Sequence, residues 1–460
     1  MRERRWILTD ETLARRIAGL PGRALGSRRT LYDQRPATGA RLLRAALRHV
    51  KRTAQAVVRL AVGGAGTLAR AGQRAVVADR RVRRILVIRM DLIGDVVLSL
   101  PAVRALRQAY PDAAIDFLAQ PSSAAILAGQ PDIAHVLTYD AGIWRNPAAI
   151  LRRANRQAAR AIFRRLRQPR YDLCVSISGD WASILAWLSG ARRRVGYARE
   201  AYRGMLTDPV PGGRYAIRRH EVEYVRELAR AAGGREAENT LPELTVLPAA
   251  VATVATLLAE ADLDEPRGPL VALHAGARNG LAKRWPTALW AELAARLARD
   301  LGARVALVGA PGDGEIAGEI AHAAGAGVVD LTGRTSLPEL AALLARCDLL
   351  VSGDSGPLHI ACAVGTPVAG LYGPTDPAIS GPLGQRAVVL RQALWCAPCY
   401  DASAVADCRF GNPVCMKTLP PAAVLAAARR LLAEGRGGAV RAAARSKERD
   451  ARREPTERAD

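Results

Sequence analysis

Between Val351 and Pro377 the chain reads VSGDSGPLHIACAVGTPVAGLYGPTDP, in which a buried-type strand runs into Gly353-Asp354-Ser355-Gly356 and Pro357 opens a helix-like run. Proline suits the first turn of a helix, and the N–H groups of that turn have no intrahelical acceptor. Flanked by small residues, such a helix start is a ready seat for a diphosphate. Ser355 can donate a hydrogen bond to it. Asp354 would repel a phosphate and is expected to accept from a sugar hydroxyl or to orient the loop. His359, just inside the helix, is expected in the core or behind the site rather than on a ligand.

Two other segments carry groups that suit the same chemistry. HAGARNGLAKRWP (274–286) places Arg278, Lys283 and Arg284 on a glycine-containing loop, where cations can surround a phosphate; a solvated basic loop is the plain alternative. MDLIGDVVLSLPAV (90–103) follows the first strong strand signal and offers two carboxylates, Asp91 and Asp95. Either can serve as a general base or cap the following helix, and position favours Asp95 for the base. Near the C-terminus, Cys396, Cys399, Cys408 and Cys415 follow the pattern CAPC-x8-C-x6-C. That pattern admits a structural zinc or iron–sulfur site, against the alternative of four free thiols. The sequence holds no HExxH; it also holds no Walker P-loop and no GxGxxG after the first strand, which argues against an ATPase or a dehydrogenase.

The elements that must hold these loops are short apolar runs followed by helical spacing: ILVI (85–88), AAIDFLA (113–119), DLCVSIS (172–178), PLVALHAG (269–276), RVALVG (304–309) and DLLVSG (348–353). Continuous apolar strands alternating with helices indicate parallel sheets covered on both faces. The runs form two sets separated by LPELTVLPAA (241–250), which predicts an α/β protein of two Rossmann-like, doubly wound domains facing a cleft. The expected divisions are a basic extension at 1–84, domains at 85–247 and 248–434, and a charged tail at 435–460. Cys174, Cys347 and Cys362 fall in apolar contexts and are expected in the cores.

Half of the 460 residues are hydrophobic and mean hydropathy is +0.01, which excludes wholesale disorder. No apolar run approaches the roughly 18–20 residues of a membrane-spanning helix. The N-terminus lacks the apolar stretch of a secretory signal, so a cytoplasmic protein is the default. Of the net charge of +24, residues 1–84 hold +16 and residues 434–460 hold +2, leaving +6 for the body. Within the leader, RLLRAALRHVKRTAQAVVRLAV (41–62) sorts its cations onto one helical face and its apolar residues onto the other. It fits an anionic membrane surface at the inner face of the cytoplasmic membrane, or a helix packed on the body with a solvated basic face. No aromatic interleaving or nucleic-acid module accompanies the charge, and no nucleic-acid partner is expected.

Together the segments ILVIRMDLIGDVVLSLPAVRAL, YDLCVSISGDWASILAWLSGARRRVGY, HAGARNGLAKRWP, LTGRTSLPELAALLARCDLLVSGDSGPLHIACAVGTPVAGLYGPTDP and CMKTLPPAAV resemble, in order, the family 9 glycosyltransferases, the ADP-heptose:lipopolysaccharide heptosyltransferases and their relatives. The resemblance spans about residues 85–430. It implies a GT-B arrangement, with acceptor bound by the first domain, nucleotide-sugar bound by the second, and inverting transfer that needs no metal. By motif it implies Asp95 as catalytic base and Lys283 as donor-phosphate contact with Arg278 nearby. It further implies Asp354, Ser355 and Gly356 as the donor loop, with His359 beyond, and Thr332 and Gly333 in the nucleotide pocket. The acceptor would be a lipopolysaccharide core or another glycolipid. The alternatives are a transferase of the same fold using another nucleotide-sugar, and a catalytically inactive nucleotide-sugar-binding protein tethered at the membrane.

Overall fold

The structure, a computed structural model, describes residues 6–9, 82–142, 149, 151–178, 181–199, 202–213, 218–235, 241–264, 267–277, 280–400, 408 and 410–434. The amphipathic segment 41–62, Arg278 and the tail 435–460 lie outside the described residues. The chain divides into two compact units, residues 10–240 and residues 241–460 together with 1–9.

In the first unit six strands form one parallel sheet: β2 (Arg84–Arg89), β3 (Ala114–Ala119), β4 (His135–Thr138), β5 (Leu173–Ser178), β6 (Arg193–Tyr197) and β7 (Asp208–Val210). Their order is β4-β3-β2-β5-β6-β7. The chain therefore winds outward from β2 to one side, then returns to β5 and winds to the other, the doubly wound pattern. Ile85 to Ile88 are buried as a continuous apolar run, and Leu173 to Ile177 are buried throughout with Ser176 the one polar residue, as strands covered on both faces require. The helices that concern the site are α1 (Ile93–Val97), α2 (Leu100–Ala109), α3 (Arg153–Arg167), α4 (Ala182–Leu188) and α5 (Glu221–Ala231). Ile162 and Leu166 of α3 and Leu185 and Ala186 of α4 join Leu86, Ile88 and Leu118 in one core cluster.

The second unit repeats the scheme with β8 (Leu270–His274), β9 (Arg304–Leu307), β10 (Val328–Asp330), β11 (Leu349–Gly353), β12 (Val368–Tyr372) and β13 (Ala387–Gln392). The order β10-β9-β8-β11-β12-β13 is extended at its edge by β1 (Trp6–Thr9), which pairs in parallel with β13. Residues 6–9, expected in the leader, are thus a strand of this sheet. Helices α6 (Pro248–Glu260), α7 (Thr287–Leu301), α8 (Gly314–Ala324), α9 (Leu337–Arg346) and α10 (Gly356–Ala363) alternate with the strands. Trp285 and Trp290 meet edge to face, with centroids 5.0 Å apart, and Trp285 Nε1 donates to the Leu419 carbonyl at 3.0 Å. These contacts fix the loop that carries Lys283 to a core of Val271, Leu273, Leu293 and Leu390. Among the described residues no helix is long and apolar enough to cross a membrane.

Candidate functional site

In a doubly wound sheet the crevice for ligands opens at the carboxyl ends of the strands where winding reverses. That point lies between β2 and β5 in the first unit and between β8 and β11 in the second. Asp95 in the first unit and Lys283, Asp354, Ser355 and Gly356 in the second follow these strands, whereas Thr332 and Gly333 follow the edge strand β10.

In the first unit Asp95 occupies the first turn of α1, directly after β2. The N-cap of that helix is Leu92, with no side-chain cap bond. Instead of capping, Asp95 Oδ1 accepts from Arg89 Nη2 at 3.0 Å, and the same nitrogen donates to Glu221 Oε1 at 2.9 Å. Asp91, the other candidate carboxylate, stands with Oδ2 2.7 Å from Arg89 Nε. Arg89 is fully buried, whereas the Asp95 side chain keeps 26 % exposure. The cluster therefore anchors one carboxylate oxygen and leaves the carboxyl within reach of a ligand. A register shift between β2 and β5, at Ile88/Arg89, accompanies the entry of this arginine. Gln120 Nε2 donates to the Met90 carbonyl at 2.6 Å and Ser123 Oγ to the Asp91 carbonyl at 3.2 Å, pinning the loop from the end of β3.

In the second unit Lys283 Nζ stands 3.1 Å from Asp354 Oδ2, with both side chains largely buried. Its ammonium also lies 5.5 Å from the centroid of the Tyr400 ring, close enough for a cation–π attraction. Tyr372, at the end of β12, donates its hydroxyl to the Ser380 carbonyl at 2.8 Å and lies 3.4 Å from Asp354 Oδ1. Burial and the neighbouring Asp354 hold its phenol well above the ordinary range. His359 is buried, with Nε2 4.0 Å from Asp354 Oδ1. Asp354 thus pairs with Lys283 across the two loops.

Ser355 is the N-cap of α10, with Gly356 the first helical residue, yet its side chain makes no cap bond. Its Oγ lies 3.1 Å from His274 Nδ1 and 2.9 Å from Ser352 Oγ. The start of α10 is thus without a side-chain cap, as an anion seat requires. His274 is the last residue of β8, and burial pulls its imidazole down to about 4, against a smaller upward pull from Asp313. Asp313 Oδ2 is 3.9 Å from His274 Nε2 and accepts from the Ala310 N–H at 3.0 Å. A Cβ at Gly276 would come within 2.4 Å of that carboxylate, so the close approach requires glycine.

Thr332 lines a small hollow with Gly276, Val308 and Asp313. Among the described residues its Oγ1 is buried without a hydrogen-bond partner. Gly333 takes φ +77°, the left-handed region, and its N–H donates to the Gly309 carbonyl at 2.9 Å. Among the described residues no three His, Cys, Asp or Glu side chains, the four clustered cysteines included, are placed to share an ion. Cys415 is buried and the other three are partly exposed, all as free thiols. Burial, then the charges of Cys399 and Cys396, push the Cys415 thiol up to about 11. Cys174, Cys347 and Cys362 are buried in the cores.

Comparison with known proteins decides the family. Residues 159–409 match the model of glycosyltransferase family 9 (heptosyltransferase). The chain belongs to that family. This glycosyltransferase is 30 % identical over 322 residues to lipopolysaccharide heptosyltransferase 2 of Escherichia coli K12, covering 67 % of this chain and 88 % of that one. It is 30 % identical over 355 residues to lipopolysaccharide heptosyltransferase 1 of Pseudomonas aeruginosa, covering 74 % and 95 %. The solved structure of the Escherichia coli ADP-heptose lipopolysaccharide heptosyltransferase II superposes with a TM-score of 0.60 at 26 % identity, over 76 % of this chain and 99 % of that one. The two Rossmann-like units of this glycosyltransferase are those of the GT-B fold.

Four residues of the transferase that touch these clusters escaped sequence reasoning: Arg89, Glu221, His274 and Asp313. Arg89 and His274 end apolar strands, where a polar residue reads as an ordinary strand terminus. That both stand immediately before a glycine-containing loop is the signal that was there to be used.

Proposed function

We propose that this glycosyltransferase moves a heptose or a related sugar from an ADP-sugar to a hydroxyl of a lipopolysaccharide-core or other glycolipid acceptor, with inversion and without a metal ion. The observation that carries the reading is Lys283, paired with Asp354 beside the uncapped start of α10. As the sugar–phosphate bond breaks, the departing diphosphate gathers negative charge. A fixed ammonium and a row of helix N–H groups stabilise that charge where it develops, which is the work a divalent cation performs elsewhere. Ser355 Oγ, Gly356 and the Thr332–Gly333 turn would hold the rest of the donor, with His359 and His274 behind them and Arg278 nearby in sequence.

On the acceptor side Asp95 takes the proton of the attacking hydroxyl. The oxygen then bonds the anomeric carbon from the face opposite the leaving diphosphate, and a single displacement of that kind inverts the centre. Positive charge builds on the ring as the bond loosens, as in glycoside hydrolysis. Arg89 fixes the rotamer of the base. Acceptors of this class are lipid-linked, and the basic segment 41–62 is proposed to bring the enzyme to an anionic membrane surface at the cytoplasmic face.

The test is turnover with ADP-heptose and a heptose-deficient glycolipid, together with thermal stabilisation by ADP, UDP, GDP and dTDP, since a ligand that binds only the folded state raises its stability. Stabilisation by ADP alone is expected, and stabilisation by another nucleotide alone would reassign the donor. Asp95→Asn is expected to lower turnover by about 10²–10⁴-fold, the usual scale of general-base loss, with ADP stabilisation unchanged. Near-normal turnover in that variant would remove Asp95 from the base role.

A further inference from the structure

The charge of +6 spread over residues 85–433 conceals one concentrated element. Residues 151–170 contain eight arginines and neither a lysine nor an acid, and all eight are exposed. At 100° per residue, Arg153, Arg156, Arg160, Arg164 and Arg167 of α3 fall within an arc of about 80°. That arc lies away from Ile162 and Leu166, the two residues that bury the helix against the core. Nothing in folding favours such a stripe. Like charges three and four positions apart repel along a helix, and Arg153 stands at the positive end of the macrodipole, with no acidic residue in the first turn. Among the described residues, none of Arg153, Arg160, Arg164, Arg165 or Arg167 has a carboxylate within ion-pair distance.

Two large apolar side chains of the same segment are exposed, Leu151 at 76 % just before the helix and Phe163 at 40 % within it. The Arg167 guanidinium lies 5.4 Å from the Phe163 ring centroid. Arginines flanked by exposed apolar side chains match an interface in which phosphates lie above hydrocarbon. A nucleic-acid backbone would engage the cations and leave Leu151 and Phe163 in water.

We propose that α3 is a membrane-docking face of the folded body, binding a bilayer surface that carries anionic phospholipids, with the arginine stripe at the phosphates and Phe163 and Leu151 at the boundary with the acyl chains. The proposal concerns a different segment from 41–62 and does not rest on the transfer reaction.

The experiment is flotation of the full chain with phosphatidylcholine vesicles, with and without about 30 % phosphatidylglycerol, with heparin retention measured in parallel. The wild-type protein is expected to float with the anionic vesicles, and R153Q/R156Q/R160Q/R164Q to lose at least about tenfold in partitioning. R153K/R156K/R160K/R164K, which keeps the charge, is expected to float like wild type. F163S is expected to lose several-fold on vesicles and nothing on heparin. R160E, a single exposed change, carries the same test with a several-fold loss if the fourfold glutamine variant does not fold. Wild-type flotation of the glutamine variant, or of R160E, would overturn the proposal. So would a glutamine variant that loses heparin but keeps vesicles, or an F163S variant that floats unchanged.

Discussion

Arg89 Nη2 stands 3.0 Å from Asp95 Oδ1 and 2.9 Å from Glu221 Oε1, so one buried guanidinium joins the first turn of α1 to the first turn of α5, the latter 132 residues beyond the arginine. A charge taken fully out of water is tolerated only when partners surround it. Here the partners include the carboxylate proposed as the base. The geometry of the loop after β2 and the solvation of the arginine are therefore one problem with one solution.

Replacing that arginine should expose the dependence. Arg89→Met leaves Asp91, Asp95 and Glu221 gathered without their common cation, and breaking a buried pair typically costs about 3–5 kcal/mol. Urea unfolding should register a loss of that size, and Arg89→Lys, which keeps a charge without the planar fork, should fall between. A variant within about 0.5 kcal/mol of wild type would show that the cluster does not hold the fold.

Lys283 is testable by affinity rather than by stability. A charge-assisted hydrogen bond is worth about 1.5–3 kcal/mol, so Lys283→Ala should weaken ADP binding by roughly ten- to hundredfold in calorimetric titration. Asp354→Asn leaves the ammonium in place but releases its partner, and should disturb turnover more than ADP affinity. Equal affinities for Lys283→Ala and wild type would remove the lysine from the phosphate site.

The buried imidazole of His274 gives stability a pH dependence. Its native value lies at about 4, below the usual 6.5, so between those limits the unfolded chain binds a proton that the native protein does not. Stability must then fall as pH drops from about 6.5 to 4, and this contribution is fully retained above 6.5. Melting temperatures across that window should decline more steeply in wild type than in His274→Asn. Parallel slopes would assign the acid sensitivity to other groups.

How much of this was legible follows from where each residue's partners lie. The long apolar strands β2, β5, β8 and β11 announce themselves because both faces are covered, and the loops after β2, β8 and β11 came with them. The short strands β4, β7 and β10 have three or four residues each and edge or near-edge positions, which leaves too little pattern to read. The Arg89–Glu221 pair depends on a contact between distant segments, and local sequence carries no trace of it. Averaging also misled. A body charge of +6 suggested that basicity belonged to the leader alone, whereas α3 holds its own stripe, offset by acids elsewhere. The cysteine spacing admits a metal centre, and among the described residues no three His, Cys, Asp or Glu side chains are placed to hold one.

Trp6 pairs with Val389 across the edge of the second sheet. During synthesis β1 therefore emerges before any of its neighbours exist. At about 5–20 residues per second, the ribosome needs tens of seconds more to deliver β13. Throughout that interval the whole 10–240 unit can fold while a four-residue strand waits outside it with its backbone unpaired. Closing the parallel pair of β1 with β13 joins Trp6 to Val389, a contact of very high sequence separation and, for that reason, a slow one.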